Sequence, residues 1–135
     1  MIRQPRTRKG VENLQKAVLA LDAALSAPVS EPRDLSGIVK DFEIAYELSW
    51  KSLKRHLEDQ GHEAGTARQV FSRAYQLGVL KDEQVWLEIL ADRNLTVHIY
   101  DENLARAMVE RIRTRYARAF GDLLRELQYF LFSSS

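Results

Sequence analysis

The segment DRNLTVHIYDE, residues 92–102, concentrates side chains that could perform acid–base and phosphate chemistry. Arg93, Asn94, His98 and Tyr100 fall within eight positions of one another. Arginine presents a fixed and permanently charged fork that suits phosphate oxygens. Histidine exchanges protons near neutral pH, and a tyrosine hydroxyl can bind phosphate or be modified. The segment is therefore the first candidate for a functional site.

These residue types are sufficient for cleavage of RNA without a metal ion. A base removes the proton of the 2′-hydroxyl, that oxygen attacks the neighbouring phosphate, and a guanidinium stabilises the charge of the phosphorane. A surface arginine, a hydrogen-bonded histidine and a half-buried tyrosine at a helix junction would explain the same residues without a function. Composition and spacing alone leave both interpretations open.

The spacing within the segment argues against an unbroken helix. At ~100° per residue, Arg93 and His98 would point about 140° apart on a helix, and His98 and Tyr100 would point nearly opposite ways. Three β-branched residues also lower helix propensity here, namely Thr96, Val97 and Ile99. Asp101 is suited to cap a new helix. We therefore expect one helix to end between Arg93 and Leu95 and another to begin after Asp101.

Apolar residues repeat at spacings of three and four along most of the chain, which predicts amphipathic helices. The predicted helices cover about 11–27, 34–60, 67–76, 82 to the segment, and 101 onward. Asp34, Thr66 with Gln69, and Asp82 are the expected N-terminal caps. The expected core anchors are Phe42, Tyr46, Trp50 and Trp86. The sequence predicts an all-α, up-and-down bundle of four to five helices, with a basic flexible tail at 1–9 and one helical domain at 10–132.

Composition excludes several classes of protein. The 135 residues have a net charge of +1 and no cysteine, which excludes disulfides and thiolate metal sites. No apolar run approaches the length of a membrane span, and the basic N-terminus is not followed by the apolar run of a secretion signal. A cytoplasmic protein is expected.

Two groups of residues could be considered as metal ligands, but neither has the spacing of a metal site. One group lies at a helix end: His56, Glu58, His62 and Glu63. The other brackets the segment: Asp92, Asp101 and Glu102. Surface histidines explain the first group, and helix capping with solvation explains the second. The sequence therefore predicts neither a metal nor a cofactor.

Three arginines of the last helix could contact an RNA backbone. Arg111, Arg115 and Arg118 are three and four apart and share one face. Glu110 and Asp122 could instead neutralise arginines within the same helix. The pattern leaves both interpretations open.

The order Arg93-Asn94-x-x-x-His98-x-Tyr100 resembles the arginine-x4-histidine-x-tyrosine motif of HEPN-domain proteins, a helical family paired in bacteria with minimal nucleotidyltransferases. Three flanking stretches resemble its nucleotidyltransferase substrate-binding branch, which includes HepT-like toxins: DFEIAYELSWKSLKRHLEDQG, ARQVFSRAYQLGVL and WLEILADRNLTVHIYDENLA. The likeness covers about residues 10–130.

The resemblance implies a helical bundle that forms a homodimer, with the motif facing a cleft at the dimer interface. It also implies an endoribonuclease toxin that acts on RNA without a metal and is neutralised by a nucleotidyltransferase antitoxin. Arg93 would stabilise phosphate, His98 would be catalytic, Asn94 would support the motif and Tyr100 would accept AMP. The chain has no phosphate-binding glycine loop, so it is not expected to be the nucleotidyltransferase.

Two other functions fit the same motif. The chain could be a non-catalytic subunit that presents substrate, or its own tyrosine, to the nucleotidyltransferase. It could also be a structural dimer whose motif has lost activity.

Overall fold

The computed structural model describes residues 5–133, which form a bundle of α-helices. The helices are α1 Pro5–Ser26, α2 Pro32–Asp59, α3 Ala67–Gln76, α4 Glu83–Leu95, α5 Glu102–Arg111 and α6 Ala117–Ser133. A single 3₁₀ turn, Thr96–His98, follows α4, and a π-helical segment, Ile112–Tyr116, joins α5 to α6 without a break in the helical backbone. The described residues contain no strand, and the predicted all-α bundle is confirmed.

Helix α2 is the centre of the bundle because it contacts α1, α3, α5 and α6. Its Phe42 is fully buried and stacks on Tyr116 with ring centroids 5.8 Å apart. Trp86 of α4 packs against Phe71 and Phe120 at centroid distances of 5.1 and 5.6 Å. Phe42 and Trp86 are core anchors as predicted, and an aromatic core of this kind supplies much of the apolar burial.

The other two predicted anchors differ from each other. Tyr46 is buried. Trp50 is only partly buried, and its indole N–H donates to the Glu47 carboxylate at 3.1 Å. A tryptophan at the edge of a core commonly satisfies its one donor in this way.

The caps that fix α3 and α4 were predicted correctly. The Thr66 hydroxyl accepts from the Gln69 amide at 3.2 Å, and the Gln69 side chain accepts from the Thr66 amide at 3.0 Å. Gly78 follows α3 with a φ of +79°, a left-handed conformation that favours glycine. Asp82 accepts from the Val85 amide at 3.1 Å and so caps α4.

The predicted cap of α2 was misplaced. Glu31 is the N-terminal cap residue, and Asp34 is the third residue of the helix. The Asp34 carboxylate reaches back and accepts from the Ser30 and Glu31 amides at 2.8 and 3.0 Å. These backbone hydrogen bonds lower the pKa of Asp34. The N-terminal cap of α2 therefore lies three residues earlier than predicted, with Pro32 in the first turn, where a missing N–H costs nothing.

The first helix also begins earlier than predicted. Residues 5–9, which the sequence assigned to a flexible tail, form the first turns of α1. Thr7 is buried and donates to Asp59 of α2 at 2.8 Å, so a polar contact holds this end of the helix where the apolar stripe has not yet begun. Residues 1–4 of the predicted tail lie outside the described residues, and the single domain at 10–132 stays a prediction.

Candidate functional site

The helix break in the candidate segment lies where the sequence predicted it. Helix α4 ends at Leu95, the 3₁₀ turn follows, and Ile99 has an extended backbone with φ −83° and ψ 100°. The Thr96 hydroxyl donates to the Arg93 carbonyl at 2.8 Å and closes the last turn of α4. Asp101 then accepts from the Leu104 amide at 2.8 Å and starts α5. The candidate side chains therefore sit at a junction between two helices.

The motif side chains at this junction reach solvent. His98 and Asn94 are exposed, and Tyr100 is 85% exposed. Exposed apolar side chains surround them along the chain: Leu95, Val97 and Leu104. Leu104 therefore lies on the surface although it is in the first turn of α5.

Arg93 occupies a different environment because its side chain turns toward α2. Its Nε lies 3.9 Å from Glu43 and a terminal nitrogen lies 3.8 Å from Glu47. These distances allow attraction but exceed those of hydrogen bonds. The Nε atom is buried and has no hydrogen-bond acceptor among residues 5–133. The Arg93 side chain as a whole is 27% exposed, so an anion such as a phosphate could approach the accessible part of its guanidinium.

Asp92, the residue before Arg93, has hydrogen-bond donors at both of its carboxylate oxygens. Asp92 is 7% exposed and accepts from Arg111 through two hydrogen bonds, at 2.7 and 3.1 Å. It also accepts from the Tyr116 hydroxyl at 2.5 Å. The hydrogen bond to Asp92 raises the pKa of Arg111, and burial followed by the bond to Asp92 raises the pKa of Tyr116. The prediction that Asp92 serves in helix capping or is solvated is therefore wrong.

The three candidate RNA-binding arginines have different surroundings. Arg111 is paired with Asp92, and Arg115 lies 2.6 Å from Glu88 of α4. Arg118 is exposed and has no ion pair within the described part of the chain. It lines a cavity of about 680 Å³ together with Trp86 and Tyr129. Of the three, only Arg118 keeps an unneutralised charge.

The two acids that could have neutralised the candidate arginines, Glu110 and Asp122, form ion pairs with other arginines. Glu110 pairs with Arg113 at 3.2 Å, and Asp122 pairs with Arg125. Each of these pairs spans three residues of one helix turn.

The prediction of two surface histidines is wrong for His56. This residue is 3% exposed, and its ring lies 4.5 Å from that of Phe130. It shares the buried face of α2 with Leu53 and Leu57, which the apolar stripe alone did not reveal. Among residues 5–133 no group of three or more histidines or carboxylates could hold a metal ion. No helix in that range is both long and apolar enough to cross a membrane.

The partners of Asp92 were not predicted, although the sequence contains a signal for them. Asp92 follows Val85 and Ile89 at spacings of four and three, so it occupies a position of the buried stripe of α4. An acid at such a position needs a partner. No comparable signal identified Glu43 and Glu47, because their contact with Arg93 depends on how α2 packs against α4.

Comparisons with known proteins agree with this fold. The family described as "Nucleotidyltransferase substrate binding protein like" matches residues 9–129. A curated relative, the "Probable ribonuclease HepT" of Haemophilus influenzae, is 29% identical over 83 residues, which cover 58% of this chain and 57% of that protein. The match thus spans little more than half the length of that relative.

Two solved structures are similar in fold. One, from Thermus thermophilus, has a TM-score of 0.79 and 32% identity, covering 85% of this chain and 98% of that one. Another, from Haemophilus influenzae, has a TM-score of 0.69 and 24% identity, covering 90% and 96%. That second structure is described as the fold of a substrate binding domain of a nucleotidyltransferase. With a family match over most of its length, the chain belongs to the nucleotidyltransferase substrate-binding protein-like family.

Proposed function

We propose that the protein is a HEPN-type endoribonuclease that cleaves RNA without a metal ion. One observation carries this proposal: the Arg93 side chain, whose contacts with carboxylates at 3.8 and 3.9 Å are too long for hydrogen bonds, is 27% exposed at the same helix junction that exposes His98. The similarity to a protein named as a probable ribonuclease supports the same activity.

Each motif residue has a defined part in the proposed reaction. His98 takes the proton of the 2′-hydroxyl, and the freed oxygen attacks the adjacent phosphorus. Arg93 stabilises the negative charge that develops on the phosphoryl oxygens. Asn94 supports the motif. The bond between phosphorus and the 5′-oxygen breaks, the 5′-oxygen takes up a proton from water, and the other fragment keeps a 2′,3′-cyclic phosphate.

The test is RNA cleavage by the purified protein in EDTA. His98→Ala should abolish cleavage, whereas His62→Ala, which removes a partly exposed histidine near the end of α2, should not. Full cleavage by His98→Ala in preparations free of contaminating nuclease would exclude His98 as the base.

We also propose that the protein acts as a homodimer through the junction. Leu95, Val97 and Leu104 are 50%, 75% and 43% exposed, and a surface of this kind beside a polar site favours association. Val97→Asp should yield a monomer by light scattering, whereas Leu19→Asp, at a residue 60% exposed on α1, should leave the dimer intact. A monomeric wild-type protein at micromolar concentration would contradict the dimer.

A second candidate function is that of a partner for a minimal nucleotidyltransferase, which would act as antitoxin by transferring AMP to Tyr100. The exposure of the Tyr100 side chain makes its hydroxyl a suitable acceptor. The hydroxyl would attack the α-phosphorus of ATP and release pyrophosphate. The adduct would place a bulky anion two residues from His98 and so block the binding of RNA phosphate.

Intact-mass measurement with an active partner and ATP tests this second function. One AMP should be added to the wild-type protein and to Tyr129→Phe, but not to Tyr100→Phe; Tyr129 is 66% exposed and serves as the matched control. An unmodified wild-type chain would contradict the assignment. If AMP is added but the unmodified protein never cleaves RNA, the non-catalytic subunit is the correct function.

We assign the RNA backbone contact to Arg118, since Arg111 and Arg115 already have acidic partners. Arg118→Gln should weaken RNA binding and reduce its dependence on salt. Arg125→Gln is the matched control, because Arg125 borders the same cavity but is paired with Asp122. Equal effects of the two substitutions would exclude a specific contact by Arg118.

A further inference from the structure

Helix α4 has ion pairs at two levels, one helical turn apart, with the C-terminal helix, meaning the continuous helix formed by α5, the π-helical segment and α6. The upper contact joins Glu88 to Arg115 at 2.6 Å, and both side chains are substantially exposed, at 32% and 49%. The lower contact joins Asp92 to Arg111, and there Asp92 is buried and accepts three hydrogen bonds in all. Exposed ion pairs contribute little, whereas a buried and fully bonded carboxylate fixes its surroundings. The lower contact therefore determines where the end of α4 lies.

The third hydrogen bond to Asp92 depends on an irregularity of the backbone. Tyr116 is the last residue of the π-helical segment, and its ring is held against Phe42 of α2. The wider π turn contains an extra residue relative to an α-helix, and this residue sets the direction in which Tyr116 leaves the helix. The hydroxyl thereby reaches Asp92 across the interface. The irregular turn and the buried acid form one structural unit.

This unit acts on the residue that follows Asp92 in the chain. Arg93 lies in the last turn of α4, and the ends of helices open more readily than their centres. Its side chain must extend toward α2 for its guanidinium to lie near Glu43 and Glu47. One residue earlier, the Asp92 carboxylate is held by three hydrogen bonds from two side chains, which restrains rotation or unwinding of this turn.

We propose that Asp92, Arg111 and Tyr116 are positioning residues that hold Arg93 in its reactive orientation. This inference rests on the proposed ribonuclease function of Arg93. None of the three touches RNA in this assignment, and Arg111 is therefore not an RNA contact. Their effect is on the precision with which a guanidinium meets the phosphate in the transition state.

The test compares Asp92→Asn with Glu88→Gln, which neutralise the two acids of the same helix interface. Asp92→Asn should lower kcat for RNA cleavage by about 10- to 100-fold, while RNA affinity changes less than about twofold, because the misplaced group is a transition-state contact. Glu88→Gln should leave kcat unchanged. Equal values of kcat for Asp92→Asn and the wild type would overturn the proposal.

A spectroscopic measurement tests whether Asp92 positions Arg93, independently of activity. The Nε–H resonance of Arg93, identified by its loss in Arg93→Gln, should shift and broaden in Asp92→Asn and remain in place in Glu88→Gln. An unchanged resonance in Asp92→Asn would contradict positioning. An inactive wild-type protein would overturn the ribonuclease function instead, and the resonance would still show whether Asp92 positions Arg93.

Tyr116→Phe provides a milder variant in case Asp92→Asn does not fold. It removes only the hydroxyl and keeps the ring on Phe42 and the bonds between Asp92 and Arg111. We expect a smaller fall in kcat of about three- to tenfold, with the same displacement of the Arg93 resonance, since one of three restraints is lost. A wild-type kcat together with a wild-type resonance would exclude Tyr116 from the network.

Discussion

Asp92 and Arg93 are adjacent in sequence but lie in opposite electrostatic situations. The acid is buried with hydrogen bonds of 2.5–3.1 Å to two side chains. Arg93 has carboxylates at 3.8 and 3.9 Å and a buried Nε without an acceptor among residues 5–133. A charge whose partners are supplied by the fold holds the structure together, and a charge whose partners are incomplete remains available to a ligand. The last turn of α4 therefore contains one charge with a complete set of partners, Asp92, and one with incomplete partners, Arg93.

The largest expected effect is on activity, at the incompletely paired residue. Arg93→Gln should lower RNA cleavage by about 10²- to 10³-fold, as expected for the loss of a group that stabilises transition-state charge. Thermal unfolding should hardly change, since the substitution removes no hydrogen bond made by the Arg93 Nε atom in the folded chain. Cleavage assays and calorimetry on the same preparation test both statements. A large fall in the unfolding temperature would show that Arg93 is structural and would remove the contrast with Asp92.

The next largest effect is on stability, at the fully paired residue. Asp92→Ala should lower the free energy of unfolding by about 2–3 kcal/mol, because it leaves Arg111 and the Tyr116 hydroxyl without their acceptor. The value stays below that of a fully buried pair because the Arg111 side chain is 42% exposed and can be hydrated. Glu88→Ala, at the exposed pair of the same interface, should cost less than about 1 kcal/mol. Denaturant unfolding measures both, and equal losses would refute the distinction.

Alkaline pH should weaken the fold through two tyrosines. Burial, with a smaller contribution from Glu47, raises the pKa of Tyr46 to about 12, and the pKa of Tyr116 is also raised. Above pH ~10 the unfolded chain loses these protons and the folded chain keeps them. Stability is therefore fully present below pH ~10 and falls above it, by about 1.4 kcal/mol per pH unit for each tyrosine.

Urea unfolding between pH ~9 and ~11, a range that brackets the ordinary tyrosine pKa, tests this dependence. Tyr116→Phe should show about half the wild-type slope, because it removes one of the two tyrosines with a raised pKa and keeps Tyr46. An identical slope in the two proteins would show that the hydroxyl bonded to Asp92 does not carry the raised pKa.

The smallest expected effect concerns the loose contacts of Arg93. Glu43→Gln should change the free energy of unfolding by less than about 0.5 kcal/mol, because a partly exposed pair at 3.9 Å gains little attraction. Denaturant titrations in parallel with the wild type would detect a larger effect. A loss above about 1.5 kcal/mol would mean that Arg93 is bound to α2 as firmly as Asp92 is bound to the C-terminal helix.

The sequence predicted those features that depend on neighbouring residues. The break after Leu95 follows from three β-branched residues and an aspartate cap, all of which act within a few positions. The partners of Asp92 could not be identified in this way, because Arg111 and Tyr116 lie 19 and 24 residues away. The early start of α1 was missed for the same reason, since it depends on a hydrogen bond between Thr7 and Asp59 across 52 residues.

The π-helical segment was equally hidden. A spacing of four from Ile112 to Tyr116 returns to the same side of a regular helix, so the apolar stripe is the same with or without the wider turn. Only the way in which α5 and α6 pack distinguishes a π-helical segment from a regular α-helical turn at this position. Helix α5 packs on α2, whereas α6 also packs on α1.

Because of this wider turn, the number of residues in the continuous helix from α5 to α6 is itself a structural requirement. Loss of one residue within 112–116 would rotate everything beyond it by about 100° relative to α5. Either Phe120 and Leu123 would leave the core, or Asp92 would lose its partners. A substitution at an exposed position such as Thr114 would leave the register of this helix unchanged, but the deletion of one codon would not. The fold therefore depends on the number of residues between 111 and 117 as well as on which residues pack in the core.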